Sequence, residues 1–336
     1  MATLNIVSTR PGAGKTCLAG ALAQREAGKG RRVAYYKPLS ADPGADPDLA
    51  FMAGLLESLG SPQDAVPRPF PQPIDPNQLP SRLSEARVAQ VAEAAAALEA
   101  AFDTLLVEWG APAAPEGNPT VLIHPHSAGQ TVQSVSDMVA GEWDRLDGQP
   151  GGVVINSLLP HRSRSMEEGL TSPLKKRGIP MLGAIPEDRE MLAFTLGQVA
   201  EFLQGEWVRE PEDKEAWVDR FLIGGNILDS GPNYFGRYPN QAVITRAARP
   251  DIQMASLMCD TKFLVLTGGE EPTEYIRVEA LKRHAALLLV SGSTQETAES
   301  LGDLLPMANP YSAQKLDRFT YLADLYLEGG LDKLLA

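Results

Sequence analysis

A short apolar strand, Leu4–Val7, runs directly into Ser8-Thr9-Arg10-Pro11-Gly12-Ala13-Gly14-Lys15-Thr16, and a helical pattern, Cys17–Arg25, follows at once. A glycine-rich turn between a strand and a helix points its backbone amides inward, and the positive helix end adds to them. Such a turn surrounds an anion, phosphate above all. Gly12 and Gly14 let the backbone approach it without a Cβ in the way. Lys15 then reaches the β- and γ-phosphates, and the Thr16 hydroxyl serves as a ligand for Mg²⁺. Arg10, Gly12, Ala13, Gly14, Lys15, Thr16 and Cys17 are therefore expected to hold Mg²⁺-ATP or a close relative. Thr9 stands where the G-x-x-x-x-G-K-[ST] pattern has its first glycine. An incidental glycine turn is the alternative, and the union of strand, G-K-T and helix weighs against it.

The first half goes on alternating short apolar runs with helical spacing. The runs are Val33–Tyr36, Thr104–Val107, Val121–Ile123, Val153–Ile155 and Met181–Ala184; Leu83–Ala101 and Gln133–Leu146 have helical spacing. That order predicts an α/β fold with a mostly parallel sheet covered on both faces. Ser61–Ser81 interrupts it with Pro62, Pro67, Pro69, Pro71, Pro73, Pro76 and Pro80, which predicts an extended surface excursion, either a lid or substrate wall or plain decoration. The charged stretch Gln204–Glu215 reads as a domain boundary. Beyond it, Ala242–Thr245, Phe263–Thr267 and Leu287–Val290 read as strands of a smaller α/β domain. Ser293 and Glu296 have capping-box spacing, and Ser312–Leu335 reads as one or two helices. The expected domains are 1–205, 214–310 and a helical tail, 311–336.

A chain of 336 residues accommodates two domains, and its net charge of −13 argues against nucleic acid or an anionic membrane as the main partner. Cys17 and Cys259 alone suggest a reducing compartment without a disulfide framework. No apolar run approaches the ~20 residues that span a bilayer and the N-terminus is not signal-like, so a cytoplasmic location is expected.

Polar groups gather where the strands end: Tyr36-Lys37-Pro38-Leu39-Ser40 with Asp46-Pro47-Asp48, then Val107-Glu108-Trp109-Gly110, then Ile155-Asn156. In parallel sheets ligands collect at those ends. With the G-K-T loop, these segments resemble the dethiobiotin synthetase and cobyrinic acid diamide synthase branch of P-loop ATPases. The resemblance implies that Lys37 neutralises γ-phosphate or substrate charge, that Asp46 or Asp48 binds Mg²⁺ with Glu108, and that Asn156 hydrogen-bonds the base. Lys15 and Lys37 are then the catalytic candidates, and Thr16, Asp46 and Glu108 the metal candidates. Taken singly, Lys37 also reads as a strand-end charge and the aspartates as a helix N-cap. Arg10 occupies the place of a second lysine in the MinD-like branch, which reaches the partner subunit's nucleotide; a solvated loop arginine is the alternative. Where the synthetases continue with glycines, this chain has Trp109 and Ala-Pro-Ala-Ala-Pro at 111–115, so the ATP half of the pattern is kept better than the acceptor half. His124 and His126 lack companions at metal-ligand spacing and read as loop residues.

The segment from Arg237 to Gln253, with Thr245, Arg249 and Asp251, and then Thr267-Gly268-Gly269, resembles a DRTGG-type domain; Arg246 and Ala247 replace two glycines of its pattern. Hydroxyls, amides and one fixed cation there suit an anionic metabolite or second nucleotide. A simple glycine turn and an internal Arg249–Asp251 pair are the other reading. The two domains in this order are similar to the N-terminal region of long phosphotransacetylases and to stand-alone phosphotransacetylase-like proteins. The resemblance implies a regulatory role and, without the transferase domain, no acetyl transfer. Two functions are carried forward: a homodimeric nucleotide-binding regulator with weak ATPase activity and a metabolite-sensing second domain, and an ATP-dependent carboxylate ligase.

Overall fold

The computed structural model describes residues 2–71, 85–110, 117–146, 151–225, 231–304, 307–327 and 330–335. The chain forms two compact units, Met1–Asp188 with Pro310–Ala336, and Arg189–Asn309.

The first unit runs β1 (Ala2–Ser8), α1 (Lys15–Gly28), β2 (Val33–Tyr36), β3 (Leu39–Ser40), α2 (Pro47–Ser58), β4 (Phe70–Pro71) and α3 (Glu85–Ala101). It continues through β5 (Thr104–Glu108), β6 (Thr120–Pro125), α4 (Val132–Trp143), β7 (Gly151–Leu158), α5 (Ser163–Lys176) and β8 (Met181–Pro186). One parallel sheet has the order β2-β5-β1-β6-β7-β8. Its strands fall on the expected apolar runs because both faces are covered: Leu4, Ile6, Leu105, Leu106, Leu122 and Val153 are all wholly buried. The chain leaves β1 toward β2 on one side and crosses from β5 to β6 on the other, so the order reverses about β1. That reversal opens a crevice at the carboxyl ends, where the glycine loop lies. Within the proline-rich excursion, Phe70–Pro71 pairs with Leu39–Ser40 in a two-residue ladder; Pro73, Pro76, Pro80 and the stretch 111–115 lie outside the described residues.

The second unit runs β9 (Phe194–Thr195), α6 (Leu196–Phe202), β10 (Glu206–Arg209), β11 (Trp217–Val218), β12 (Arg220–Ile223), α7 (Gly231–Phe235) and β13 (Gln241–Arg246). It closes with α8 (Pro250–Leu257), β14 (Phe263–Thr267), α9 (Glu274–Lys282), β15 (Ala286–Val290) and α10 (Thr294–Leu304). Its sheet has the order β10-β15-β14-β13-β12, parallel except for β10. Alternate residues of β14 serve opposite cores, Phe263 and Val265 with Val199 and Leu301, Leu264 and Leu266 with Leu257 and Ile276. The charged stretch read as a boundary contains β10, the antiparallel edge strand of this sheet, and edge strands carry charge that discourages further pairing. Ser293 and Glu296 do form a reciprocal cap on α10, with Ser293 N donating to Glu296 Oε2 at 2.8 Å and Glu296 N to Ser293 Oγ at 3.3 Å.

The chain then re-enters the first unit as α11 (Ala313–Tyr326) and α12 (Gly330–Leu334). Helix α11 lies along α1. A Cβ on Gly20 would sit 2.8 Å from Leu316 Cδ1, so glycine permits the close approach. Gln24 Nε2 donates to Asp317 Oδ1 at 2.9 Å, and Thr320 Oγ1 to Gln24 Oε1 at 2.6 Å. The fold is thus mixed α/β, a P-loop type of parallel sheet with a second, smaller α/β unit.

Candidate functional site

The loop after β1 is pinned from both sides. Thr9 N donates to Ile123 O at 3.0 Å, and the Thr9 hydroxyl lies 2.9 Å from His124 Nδ1. Gly14 has φ +96°, and a Cβ on it would come within 2.6 Å of Asn156 Nδ2. Asn156, expected at the base, comes to the loop itself: its Nδ2 donates to Ala13 O at 2.8 Å and its Oδ1 accepts from Ser157 N at 2.8 Å. As N-cap of α1, Gly14 brings no side chain to bond the first-turn amides. An anion can take those donors.

Lys15 Nζ donates to Ser8 Oγ at 3.2 Å and stands 3.7 Å from Glu108 Oε1. The Thr16 hydroxyl lies 3.0 Å from both Asp48 Oδ1 and Glu108 Oε2. Tyr35, inside the sheet, donates its hydroxyl to Glu108 Oε2 at 2.8 Å. Glu108 is 3% exposed. Burial pushes its carboxyl above the ordinary range, with the Asp48 charge adding to the push while Lys15 and Tyr35 oppose it. At Asp48 burial also pushes up, but the Lys37 hydrogen bond and charge, with Tyr311 and Thr16, carry the carboxyl below its ordinary value. The two carboxyls are therefore shifted in opposite directions on either side of one hydroxyl.

The aspartate pair divides its work differently from the expectation that put Asp46 on the metal. Asp46 caps α2, accepting from Asp48 N at 3.0 Å and Leu49 N at 3.3 Å, and it takes Lys37 Nζ at 2.7 Å and Ser40 Oγ at 2.5 Å. Asp48, at the second helical position after the proline, turns to Thr16 instead. Lys37 bridges the two, its Nζ 2.5 Å from Asp48 Oδ2. Burial pulls the Lys37 ammonium down, but its bonds to the two aspartates bring it above the usual lysine value. A cavity of about 370 Å³ adjoins Asp46, walled by Pro43, Leu49, Ala50, Val66 and Pro69.

The remaining expected residues are also placed. Arg10 folds onto its own chain, Nη2 donating to Pro125 O at 2.6 Å and to Ser127 Oγ. Cys17 is buried, and burial, with the Glu108 and Asp48 charges, pushes its thiol up to about 12. Trp109 is buried and donates Nε1 to Asn5 Oδ1 at 3.0 Å. Sequence reasoning missed Tyr35 and Tyr311. Tyr35 reads only as a strand residue, and Tyr311 Oη reaches Asp48 Oδ1 at 2.7 Å from far along the chain, with no local signal.

Hard oxygen donors around Thr16 suit Mg²⁺, which takes one or two carboxylates with phosphates and waters rather than an all-protein cage. Among the described residues no group of three or more His, Cys, Asp or Glu side chains forms such a cage.

In the second unit the six candidates are largely satisfied internally. Thr245 Oγ1 donates to Gly224 O at 3.1 Å, and Thr267 Oγ1 meets Thr294 Oγ1 at 2.8 Å. Arg249 forks onto Asp251 at 2.9 and 2.8 Å, the internal pair of the second reading. Gly268 N and Gly269 N donate to Gly292 O and Val290 O at 2.9 and 3.0 Å, so those amides are spent on the turn. A cavity of about 560 Å³ opens beside this turn, lined by Ile223, Arg246, Ser293, Thr294, Gln295 and Glu299.

Residues 2–114 match the family model described as an AAA domain, and residues 198–304 the model described as a DRTGG domain. Among solved structures, the CBS and DRTGG domains of the regulatory region of Clostridium perfringens pyrophosphatase, complexed with the activator diadenosine tetraphosphate, are 16% identical. That match has TM-score 0.31 over 35% of this chain and spans only 49% of the pyrophosphatase chain. A chain of the MinC:MinD cell division protein complex of Aquifex aeolicus is 13% identical over 57% of this chain and 84% of its own, TM-score 0.38. MinD of Pyrococcus horikoshii, complexed with Mg-ADP, is 17% identical over 57% and 83%, TM-score 0.33. The chain carries an AAA-type P-loop domain followed by a DRTGG domain.

Proposed function

We propose that this chain is a cytoplasmic nucleotide-binding regulator that holds Mg²⁺-ATP on Gly12–Thr16, turns it over slowly, and senses an anionic metabolite or second nucleotide in its DRTGG domain. The observation that carries the reading is the Thr16 hydroxyl set 3.0 Å from both Asp48 and Glu108 with Lys15 alongside. Bound Mg²⁺ supplies charge neutralisation across the phosphates. The chain's own groups would do the rest: loop amides and Lys15 would hold the phosphates, and Thr16, Asp48 (in place of Asp46) and Glu108 would be the residues that hold the metal. Asn156 keeps the loop in its phosphate-ready shape. In the second unit the ligand site shifts from Arg249, already paired, to the cavity at Arg246. Homodimer formation implied by the resemblance belongs to the reading and is tested by sedimentation with and without Mg²⁺-ATP.

A ligase is the second reading, favoured by a cavity that Asp46 lines, where a small acceptor would fit, and by Lys37 and Ser40, which both hydrogen-bond to Asp46. ATP turnover alone and with a panel of small carboxylates, plus an amine or bicarbonate, separates the two. A slow rate that no acceptor changes is expected of the regulator. Acceptor-stimulated ADP release overturns it in favour of the ligase.

A further inference from the structure

Tyr311 follows the point where the chain returns to the first unit, and its hydroxyl reaches Asp48 beside the phosphate loop. Its hydroxyl donates to Asp48 Oδ1 at 2.7 Å, the same oxygen that the Thr16 hydroxyl faces at 3.0 Å. Lys37 holds the other oxygen, Oδ2, at 2.5 Å. Three donors thus fix one carboxylate, with an acceptor direction left on Oδ2. The phenol is itself well anchored. Its ring packs on Phe51 of α2 with centroids 5.6 Å apart, on the helix that begins at Asp48's own turn. Ser312 caps α11 immediately behind it, accepting from Lys315 N at 3.2 Å. Along α11, Leu316 fills the notch at Gly20 of α1, and Arg318 Nη2 donates to Asp188 Oδ2 at 2.6 Å.

We propose that Tyr311 is a positioning residue of the metal–nucleotide site, orienting Asp48 beside Thr16, and that it is supplied by the chain after it has passed through the second unit. This rests on the Mg²⁺-ATP reading above. It makes a site otherwise built from the first half of the chain incomplete without the segment that opens α11. The second unit is inserted in the chain between Asp188, which accepts from Arg318 of α11, and Pro310, which precedes Tyr311.

The test is the full-length Tyr311→Phe variant, which keeps the ring on Phe51 and removes only the donor. ATP affinity is measured by calorimetry in Mg²⁺ and in chelator, with thermal unfolding of the nucleotide-free protein alongside. Expected is a roughly tenfold loss of the Mg²⁺-dependent gain in affinity, the usual effect of losing an outer-shell partner, with chelator affinity unchanged within about twofold. An unchanged Mg²⁺ gain overturns the proposal. An equal fall with and without Mg²⁺ also overturns it, in favour of a packing role. A wild-type protein that binds ATP without Mg²⁺ dependence overturns this proposal together with the reading beneath it.

Discussion

Thr16 has one hydroxyl proton and two carboxylates within 3.0 Å of it. Only one of them can accept that proton at a time, and the surroundings shift the two carboxyls in opposite directions, Glu108 up through burial and Asp48 down through its bond to Lys37 despite burial. A divalent cation arriving beside Thr16 would favour the charged form of both. His124, beside Thr9 of the loop, obeys the same physics in a measurable window. It is 1% exposed, and burial lowers its imidazole to about 4 from an ordinary 6.5. The unfolded chain therefore binds the proton more readily than the fold. His124's contribution to stability is complete above pH 6.5 and is lost as pH falls toward 4. The loss reaches about 3 kcal/mol at the acid end. Denaturant unfolding of His124→Gln against wild type between those limits is expected to show a shallower decline in the variant. Parallel curves would contradict the buried, neutral assignment. At this scale the sequence was partly legible. Lys15 and Thr16 stand out because their spacing is set by local backbone geometry. The split between Asp46 and Asp48 was not readable, since cap and metal roles ask for the same residue type two positions apart. Tyr311 depends wholly on tertiary placement.

The strands were the legible elements. Parallel strands buried on both faces appear as unbroken apolar runs, and β1, β2, β5, β6, β7, β8, β13, β14 and β15 all fall on such runs. Strand β10 escaped because an edge strand has charge and one exposed side, and Glu206–Arg209 has the look of a linker. Helix α11 was legible as a helix, but its docking was not, because nothing in 313–326 names the helix it covers. Its seam with α1 carries a stability prediction. Leu316 is 2% exposed and fills the notch over Gly20. Leu316→Ala is expected to cost about 2–4 kcal/mol of stability through the cavity it leaves. Chemical denaturation measures it, and a change below ~0.5 kcal/mol, the range of surface substitutions, would show that α11 is loosely held.

For the whole molecule, the arrangement of the chain is what matters. The first unit, which contains the segment matching an AAA domain, is interrupted by the unit that contains the DRTGG match, and the last helices return to complete the first unit. Any ligand whose affinity for the second unit differs between states of the first must, by linkage, change nucleotide affinity by the same factor. No helix among the described residues is long and apolar enough to cross a membrane. The net charge of −13 is consistent with phosphate being drawn to a local site made of amides and lysine rather than to a basic surface. The most direct test of the account is calorimetric titration of the full-length protein with ATP, ADP, AMP and GTP, with Mg²⁺ and then with chelator, beside Lys15→Ala. The account predicts one ATP per chain, bound more tightly with Mg²⁺ and lost or severely weakened in Lys15→Ala. ATP binding that ignores both Mg²⁺ and Lys15, or no binding at all, would contradict it.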